Sequence, residues 1–352
     1  MKPHPNPSPN GEGLLRLNMK IILLMAFVLT CDVTVGKYRF RQVNEVRVKS
    51  TWRELGNTCE IRLPALKRKL EEVIKQGDAV SVKLWYLNEP VHEEFNGYVR
   101  RIKPNIPFEL ECEDHIYYFR KTPVKKSWSK AENVTLKTAV KYLVDEVNSK
   151  YTDARITLSK KLPDVTLSEG FVIEAGNTAA TELQKIKEAF GLVSYFRGRE
   201  LFTGLAYQQT FGTVKYSLAW NVIWHELTYR SESDVLLQAK AIGIKKNNTK
   251  VVVDDVGDTD GEQRTLYYYN VTDKAQLRKL AEEELKRLKF TGYEGEVNTF
   301  LYPYAEPLMV ADLRDPKYGE ARAGRYMIDS VETEFGNYGA RRKVELGIKL
   351  TV

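Results

Sequence analysis

The chain is predicted to be mainly β with an α+β insertion. Three observations lead there: short alternating apolar and polar runs fill the first third, helical spacing appears in the middle, and strand patterns return after it. With 352 residues, 43% apolar and 29% charged, it has a globular composition and length for two or three domains.

Residues 1–13, MKPHPNPSPNGEG, hold four prolines and two glycines, which leaves no regular element to form. Residues 1–24 are therefore expected to be disordered or to be translated sequence upstream of the natural start; Met1, Met19 and Met25 are competing starts. Residues 19–33, MKIILLMAFVLTCDV, look like the leader of an exported lipoprotein. The cleavage pattern of such leaders fits poorly, because Thr30 and Val28 stand where a small residue and a leucine belong.

From Cys31 the β pattern is clear. Cys31, Val33 and Val35 alternate with Asp32 and Thr34, and Tyr38 and Phe40 follow Gly36, which predicts a hairpin with Cys31 facing inward. CEIRL is a strand closed by Pro64, and ALKRKLEEVIKQGD can form a helical turn or two before Gly77. AVSVKLWYL, FNGYVRRI and FELECEDHIYY are further strands. In the last, Phe108, Leu110, Cys112 and Ile116 are expected on one face and Glu109, Glu111, Glu113 and His115 on the other. The unit is an antiparallel barrel or sandwich ending near residue 115.

In the middle, Leu136, Ala139, Val140, Leu143, Val144 and Val147 recur at helical spacing. A second helix runs from about Thr178 to Phe190, stopped by Gly191, and LVSYFRGRELFTG is a strand pair around Arg197-Gly198. The third unit opens with NVIWHELTYR and DVLLQAKAIGI. KVVVDD and RTLYYYN are expected to form a hairpin with the solvated acidic tip DDVGDTDGEQ. A long helix spans about Asp273 to Lys289, with a capping-box-like start at Asp273 and Gln276. Its buried stripe is Leu277, Leu280, Ala281, Leu285 and Leu288, with surface pairs Glu282–Lys286 and Glu283–Arg287. In VELGIKLTV, Val344, Leu346, Ile348, Leu350 and Val352 alternate, the pattern of a central or closing strand.

Chemistry-bearing patterns are scarce. The net charge of +7 among 54 basic and 47 acidic residues is interspersed and weak support for nucleic-acid binding. Cys31, Cys59 and Cys112 show neither disulfide nor zinc spacing. Aligning the acidic tip with a calcium loop puts Val256 and Tyr267 at ligand positions. His4, His92, His115 and His225 share no ligand spacing, no GxSxG elbow or phosphate loop occurs, and Glu111 and Glu113 lie on a polar face unsuited to a glycosidase pair. No catalytic residue, cofactor or metal ligand is nominated, no apolar run is long enough for a membrane helix, and a structural or binding role is favoured.

Three segments in order, FNGYVRRIKPNIPFELECEDHIYYFRK, LVSYFRGRELFTGLAYQQTFGTVKYSLAWNVIWHELTYR and GRYMIDSVETEFGNYGARRKVELGIKL, give the chain a resemblance. From about residue 25 to its end it resembles the central baseplate hub of contractile-tailed phages, the late-control D family and the hub of phage Mu. The resemblance implies two similar β-barrel tube domains with smaller mixed domains: residues 25–115, an α+β insertion at 116–215, and 216–352 with one long helix. It implies a homotrimer in the virion tail baseplate, assembled in the bacterial cytoplasm. There it would join the sixfold tail tube protein to the threefold spike protein among other baseplate proteins, with DNA passing through without sequence-specific binding. A lumen that passes DNA should repel phosphate, which nominates Glu109, Glu111 and Glu113 as channel-facing. It also implies no enzyme activity, and a natural start at Met25 with AFVLTCDVTVGKYRF as the first hairpin. The hub of a contractile injection or type VI-like system is an open alternative, as is an exported β-sandwich envelope lipoprotein or enzyme.

Overall fold

A computed structural model describes residues 28–350 apart from 65–68, 130–131, 164–165, 170–171, 207–209, 246–248, 270, 272 and 320–322. The opening run 1–24, its competing starts and Val352 lie outside the described residues.

The first unit contains β1 (Leu29–Val35), β2 (Tyr38–Phe40), β3 (Glu45–Thr51), β4 (Thr58–Leu63), the one-turn helix α1 (Leu70–Val73), β5 (Ala79–Tyr86), β6 (His92–Lys103) and β7 (Phe108–Glu113). Its strands lie in the order β3-β4-β7-β6-β5-β1-β2, each antiparallel to its neighbour. The expected hairpin forms, with Val35 opposite Tyr38 and Gly36 at φ 56° between them. Period-two alternation sends Cys31, Val33, Val46, Ile61 and Leu110 into one core.

The FELECEDHIYY pattern does not persist as a strand. Asp114 turns the chain by accepting hydrogen bonds from the Asn57 N–H at 2.7 Å and the Ile116 N–H at 3.0 Å. Helix α2 (Ile116–Lys121) follows. The change of period carries His115 off the expected polar face and into full burial.

Next come β8 (Pro123–Ser127), β9 (Asn133–Thr135), α3 (Leu136–Lys150), β10 (Thr157–Leu158), β11 (Thr166–Glu169), β12 (Val172–Thr178), α4 (Ala179–Phe190), β13 (Val193–Arg197) and β14 (Glu200–Gly204). Thr135 and Thr178 cap α3 and α4, each accepting from the N–H three residues on at 3.2 Å. The six apolar residues expected inside α3 are all buried. Gly191, at φ 67°, ends α4 in the left-handed conformation that glycine adopts without strain.

The remainder is β15 (Thr213–Ser217), β16 (Val222–Arg230), β17 (Leu237–Ile244), β18 (Lys250–Gly257), β19 (Glu262–Tyr269), α5 (Lys274–Leu288), β20 (Gly292–Thr299), β21 (Val310–Arg314), β22 (Gly324–Gly336) and β23 (Gly339–Leu350). Asp273 caps α5 by accepting from the Gln276 N–H at 2.8 Å. Leu277, Ala281 and Leu285 of α5 pack on β17–β18, while Arg287 pairs with Glu284 at 2.6 Å and not with the expected Glu283. The expected hairpin of KVVVDD with RTLYYYN is overturned: β17 lies between β18 and β19, antiparallel to one and parallel to the other. Its Leu237, Ala239, Ala241 and Ile244 are buried, so the most apolar of the three strands takes the centre. β23 is central, paired with β20 on one side and β22 on the other.

Both β units belong to one 13-stranded sheet, because β22 also pairs with β3, from Ser330 opposite Thr51 to Gly336 opposite Glu45. The second unit runs β16-β20-β23-β22-β21-β15, which repeats the first unit's β3-β4-β7-β6-β5-β1 place for place. One pairing differs: β15 is parallel to β21, whereas β1 is antiparallel to β5. Neither unit closes into a barrel among the described residues, contrary to the expectation of two closed tube domains. The outer edge of β3, which closure of the first unit would use, is taken by β22.

Candidate assembly surface

Across this sheet one face is apolar core and the other is charged. On β23 the inward residues are Ala340, Arg342, Val344, Leu346 and Ile348, leaving Arg341, Lys343 and Glu345 on the charged side. On β22 and β3 the charged side carries Glu332, Glu334, Arg47 and Lys49. Arg47 reaches across the junction of the two units to Glu334 at 2.7 Å and Glu332 at 3.4 Å. Further along, Arg62 binds Glu45 at 2.5 Å, and Lys343 binds Glu296 at 2.7 Å.

Glu109, Glu111 and Glu113 line up along β7 on this face, each held by cations. Glu109 meets Lys103 at 2.5 Å and Arg62 at 3.6 Å. Glu111 meets Lys103 at 2.5 Å and Arg100 at 2.8 Å, and the Lys103 ammonium beside it holds its carboxyl below the ordinary value. Glu113 meets Arg120 at 3.5 Å and Arg100 at 3.6 Å. In each pair the cation is partly exposed and the carboxylate largely covered, Glu113 being only 6% exposed. Their effect is to fix cross-strand register and keep the face charge-balanced.

The units are also locked through the core. Arg342, 1% exposed, donates to both oxygens of Glu94 on β6, at 2.8 and 3.1 Å. It also donates to the Leu301 carbonyl at 3.2 Å and the Thr333 hydroxyl at 3.2 Å, and lies over the Tyr304 ring at 4.9 Å. Tyr304 in turn stacks on His92 at 4.4 Å. Sequence reading passed over this pair, although the alternation of ARRKVELG places Arg342 in phase with inward Val344 and so marks a buried cation that needs a partner.

A cleft between the β units and the β13–β14 hairpin is lined by Thr51, Asn57, Glu94, Asp114, Tyr195 and Glu306. Burial pushes the Asp114 carboxyl up to about 7 and the His115 imidazole down to about 4. The carboxyl is engaged by backbone N–H groups, Glu94 by Arg342, and Glu306 by Arg197 at 2.7 Å, so the cleft reads as a polar junction. His115 is sealed against Tyr98 and Phe196 with both ring nitrogens unpartnered. The three cysteines are buried free thiols, and burial raises the pKa of each, Cys31 to about 11. Among the described residues no group of three or more His, Cys, Asp or Glu could hold a metal, and no helix is long and apolar enough to cross a membrane.

No protein-family model matches the sequence, and no curated protein matches it. Solved structures share the fold over nearly the whole chain. A tail protein from Neisseria meningitidis MC58 superposes with a TM-score of 0.60 at 13% identity, covering 91% of this chain and 96% of its own. The 43 kDa tail protein of prophage MuSo2 from Shewanella oneidensis gives 0.59 at 14% identity, covering 90% and 97%. The E. coli c3393 protein, a type VI secretion component described as similar to T4 tail proteins gp27 and gp5, gives 0.57 at 8% identity, covering 91% and 77%.

Proposed function

We propose that the chain is a structural hub in the baseplate of a contractile phage tail. Three copies would form a ring that joins the sixfold tail tube to the threefold spike. The observation that carries this is the doubled sheet: one strand order occurs twice in the chain and the two occurrences are joined edge to edge. Three such chains present six equivalent units to a sixfold tube while keeping threefold symmetry for a spike. The end-to-end likeness to tail proteins supports the same reading.

On this proposal the units are residues 25–115 and the stretch to 352 that begins with β15, whose residues 213–217 straddle the expected boundary at 216, with the α+β segment inserted between them, and the charged face lines the DNA channel. The ion-paired Glu109, Glu111 and Glu113 would form part of that wall. A wall whose Arg47, Arg62, Arg100, Lys103 and Lys343 are already held by carboxylates offers phosphate less free positive charge to bind, which suits passage of DNA. Assembly would take place in the bacterial cytoplasm, with spike and other baseplate proteins as partners.

A second reading, the hub of a type VI-like injection machine, is favoured by the likeness to c3393. Co-production with the tube and spike proteins encoded beside its gene tests both. A particle of three chains that binds tube on one side and spike on the other is expected. A chain that stays monomeric and joins neither refutes the hub, and sheath-driven secretion instead of DNA delivery would select the second reading.

A further inference from the structure

The register of the first unit brings together two thiols that the sequence holds far apart. Cys59 on β4 lies directly opposite Cys112 on β7. Both belong to the core of that unit, at 1% and 2% exposed, and both are free. Just beyond the Thr58–Glu113 pair, the Asp114 N–H donates to the Asn57 carbonyl at 3.1 Å. Mutually bonded pairs recur at every second position of an antiparallel ladder, so Cys59 and Cys112, two positions further in on each strand, are such a pair. Their Cα atoms are then about 5.5 Å apart, within the ~4.4–6.8 Å that a disulfide spans. The Cys59 thiol feels its neighbour, since burial is the first cause that raises its pKa and Cys112 the second. Cys31 is placed differently: it lies opposite Leu84 on β1, with β5 and β6 between it and β7.

We propose that Cys59 and Cys112 are a reversible redox pair, in which a two-electron oxidation joins their sulfurs in a disulfide that ties β4 to β7 through the core. With hydrogen peroxide as oxidant, one sulfur attacks a peroxide oxygen and becomes a sulfenic acid while the other oxygen leaves as water. The second sulfur then displaces the sulfenic hydroxyl, forming the Sγ–Sγ bond and releasing a second water. Both thiol protons end in water; the two sulfurs are oxidised and the two peroxide oxygens reduced. A sulfenic acid with a thiol beside it condenses to the disulfide before it can pass to the irreversible sulfinic acid.

The reaction is slow in native protein, because burial keeps both groups as thiols and peroxide enters only on local opening. The product is easily reduced. Cβ atoms of a mutually bonded pair stand about 5.5 Å apart, whereas a disulfide holds them within ~4.5 Å, so the bond forms under strain. In a reducing cytoplasm the pair stays as thiols, and outside the cell it oxidises; that timing rests on the proposed hub, and the pairing of the two sulfurs does not.

Peptide mapping without reductant tests it. Native full-length protein is held in millimolar hydrogen peroxide, remaining thiols are alkylated in denaturant, and the chain is digested. A species two hydrogens lighter is expected, with the Cys59 and Cys112 peptides joined and Cys31 alkylated, and dithiothreitol should restore all three thiols. C31S should oxidise as wild type does, while C59S and C112S should form no intramolecular disulfide; if a core serine unfolds either of these, the wild-type map and C31S carry the test. A disulfide that includes Cys31, sulfinic acid on Cys59 or Cys112 in place of the cross-link, or three intact thiols after an exposure that oxidises the unfolded chain overturns the pair. If mapping fails while three chains still form a particle with tube and spike, the redox pair is wrong and the hub stands. A cross-linked chain that joins neither keeps the pair and removes the hub.

Discussion

Arg342→Met should be among the most damaging single substitutions in this chain, for a reason that can be separated from lost packing. Methionine roughly fills the aliphatic volume but strands Glu94, whose side chain is 3% exposed, without the cation that offsets its burial. Removing one partner of a buried ion pair costs about 3–5 kcal/mol. The Leu301 and Ala305 carbonyls, which accept from Arg342 at 3.2 and 3.4 Å, lose a donor as well, and unsatisfied buried acceptors cost roughly 1–3 kcal/mol. Glu94→Leu combined with Arg342→Met removes the stranded charge but not the stranded carbonyls. The double variant should regain about half or more of the single variant's loss. Urea unfolding followed by circular dichroism gives both numbers. If the double variant is no more stable than Arg342→Met, or if the single variant loses under about 1 kcal/mol, the pair is not what locks β6 to β23.

Other outcomes follow from local geometry. Replacing Thr178 or Asp273 by alanine should cost about 1 kcal/mol each, because each side chain satisfies a helix-terminal N–H; the same unfolding experiment reads it. Gly295→Ala should separate β16 from β20, since a Cβ there would lie 2.0 Å from the Glu226 carbonyl oxygen; faster amide exchange along Val222–Arg230 is the signature. Native protein at pH 8 should leave all three thiols unreacted with a disulfide reagent until it is unfolded, because buried thiols with raised pKa form little thiolate. Asp114 and His115 should act on stability in opposite directions. The Asp114 carboxyl, raised from 3.8 to about 7, binds more proton folded than unfolded, so its contribution falls as pH rises from about 4 to 7. The His115 imidazole, lowered from 6.5 to about 4, favours folding above that window and loses its contribution as pH falls through it. Unfolding curves of Asp114→Asn and His115→Phe between pH 4 and 8 should each flatten one of these slopes.

Much of the fold was legible because local periodicity is strong where one face is buried. The helices starting after Thr135, Thr178 and Asp273 combine a cap with an apolar stripe, and both signals are local. The unbroken alternation of β23 predicted a central or closing strand for the same reason, and its pairing with both β20 and β22 makes it central. Where reading failed, the deciding contact was distant. FELECEDHIYY kept its alternation past Glu113, but the Asn57 N–H, 57 residues away, is what engages Asp114 and turns the chain. KVVVDD and RTLYYYN look like two arms of a hairpin until β17, carried by a stretch earlier in the chain, inserts between them. For the candidate surface, alternation placed Glu109 and Glu111 correctly on a polar face, but nothing near them announces Lys103, Arg100 and Arg62 as their partners.

The sequence by itself determined the faces of most strands and helices and the scarcity of recognisable catalytic motifs. These depend on spacing and on caps within a few residues. The tertiary structure alone decided that the two β units share one sheet and that Arg342 and Glu94 meet inside it. Both contacts join residues more than 200 positions apart, the β3–β22 pairing through backbone hydrogen bonds and the Arg342–Glu94 pair through side chains. Because every strand carries the same backbone donors and acceptors, the choice of neighbour is made only when the whole chain packs.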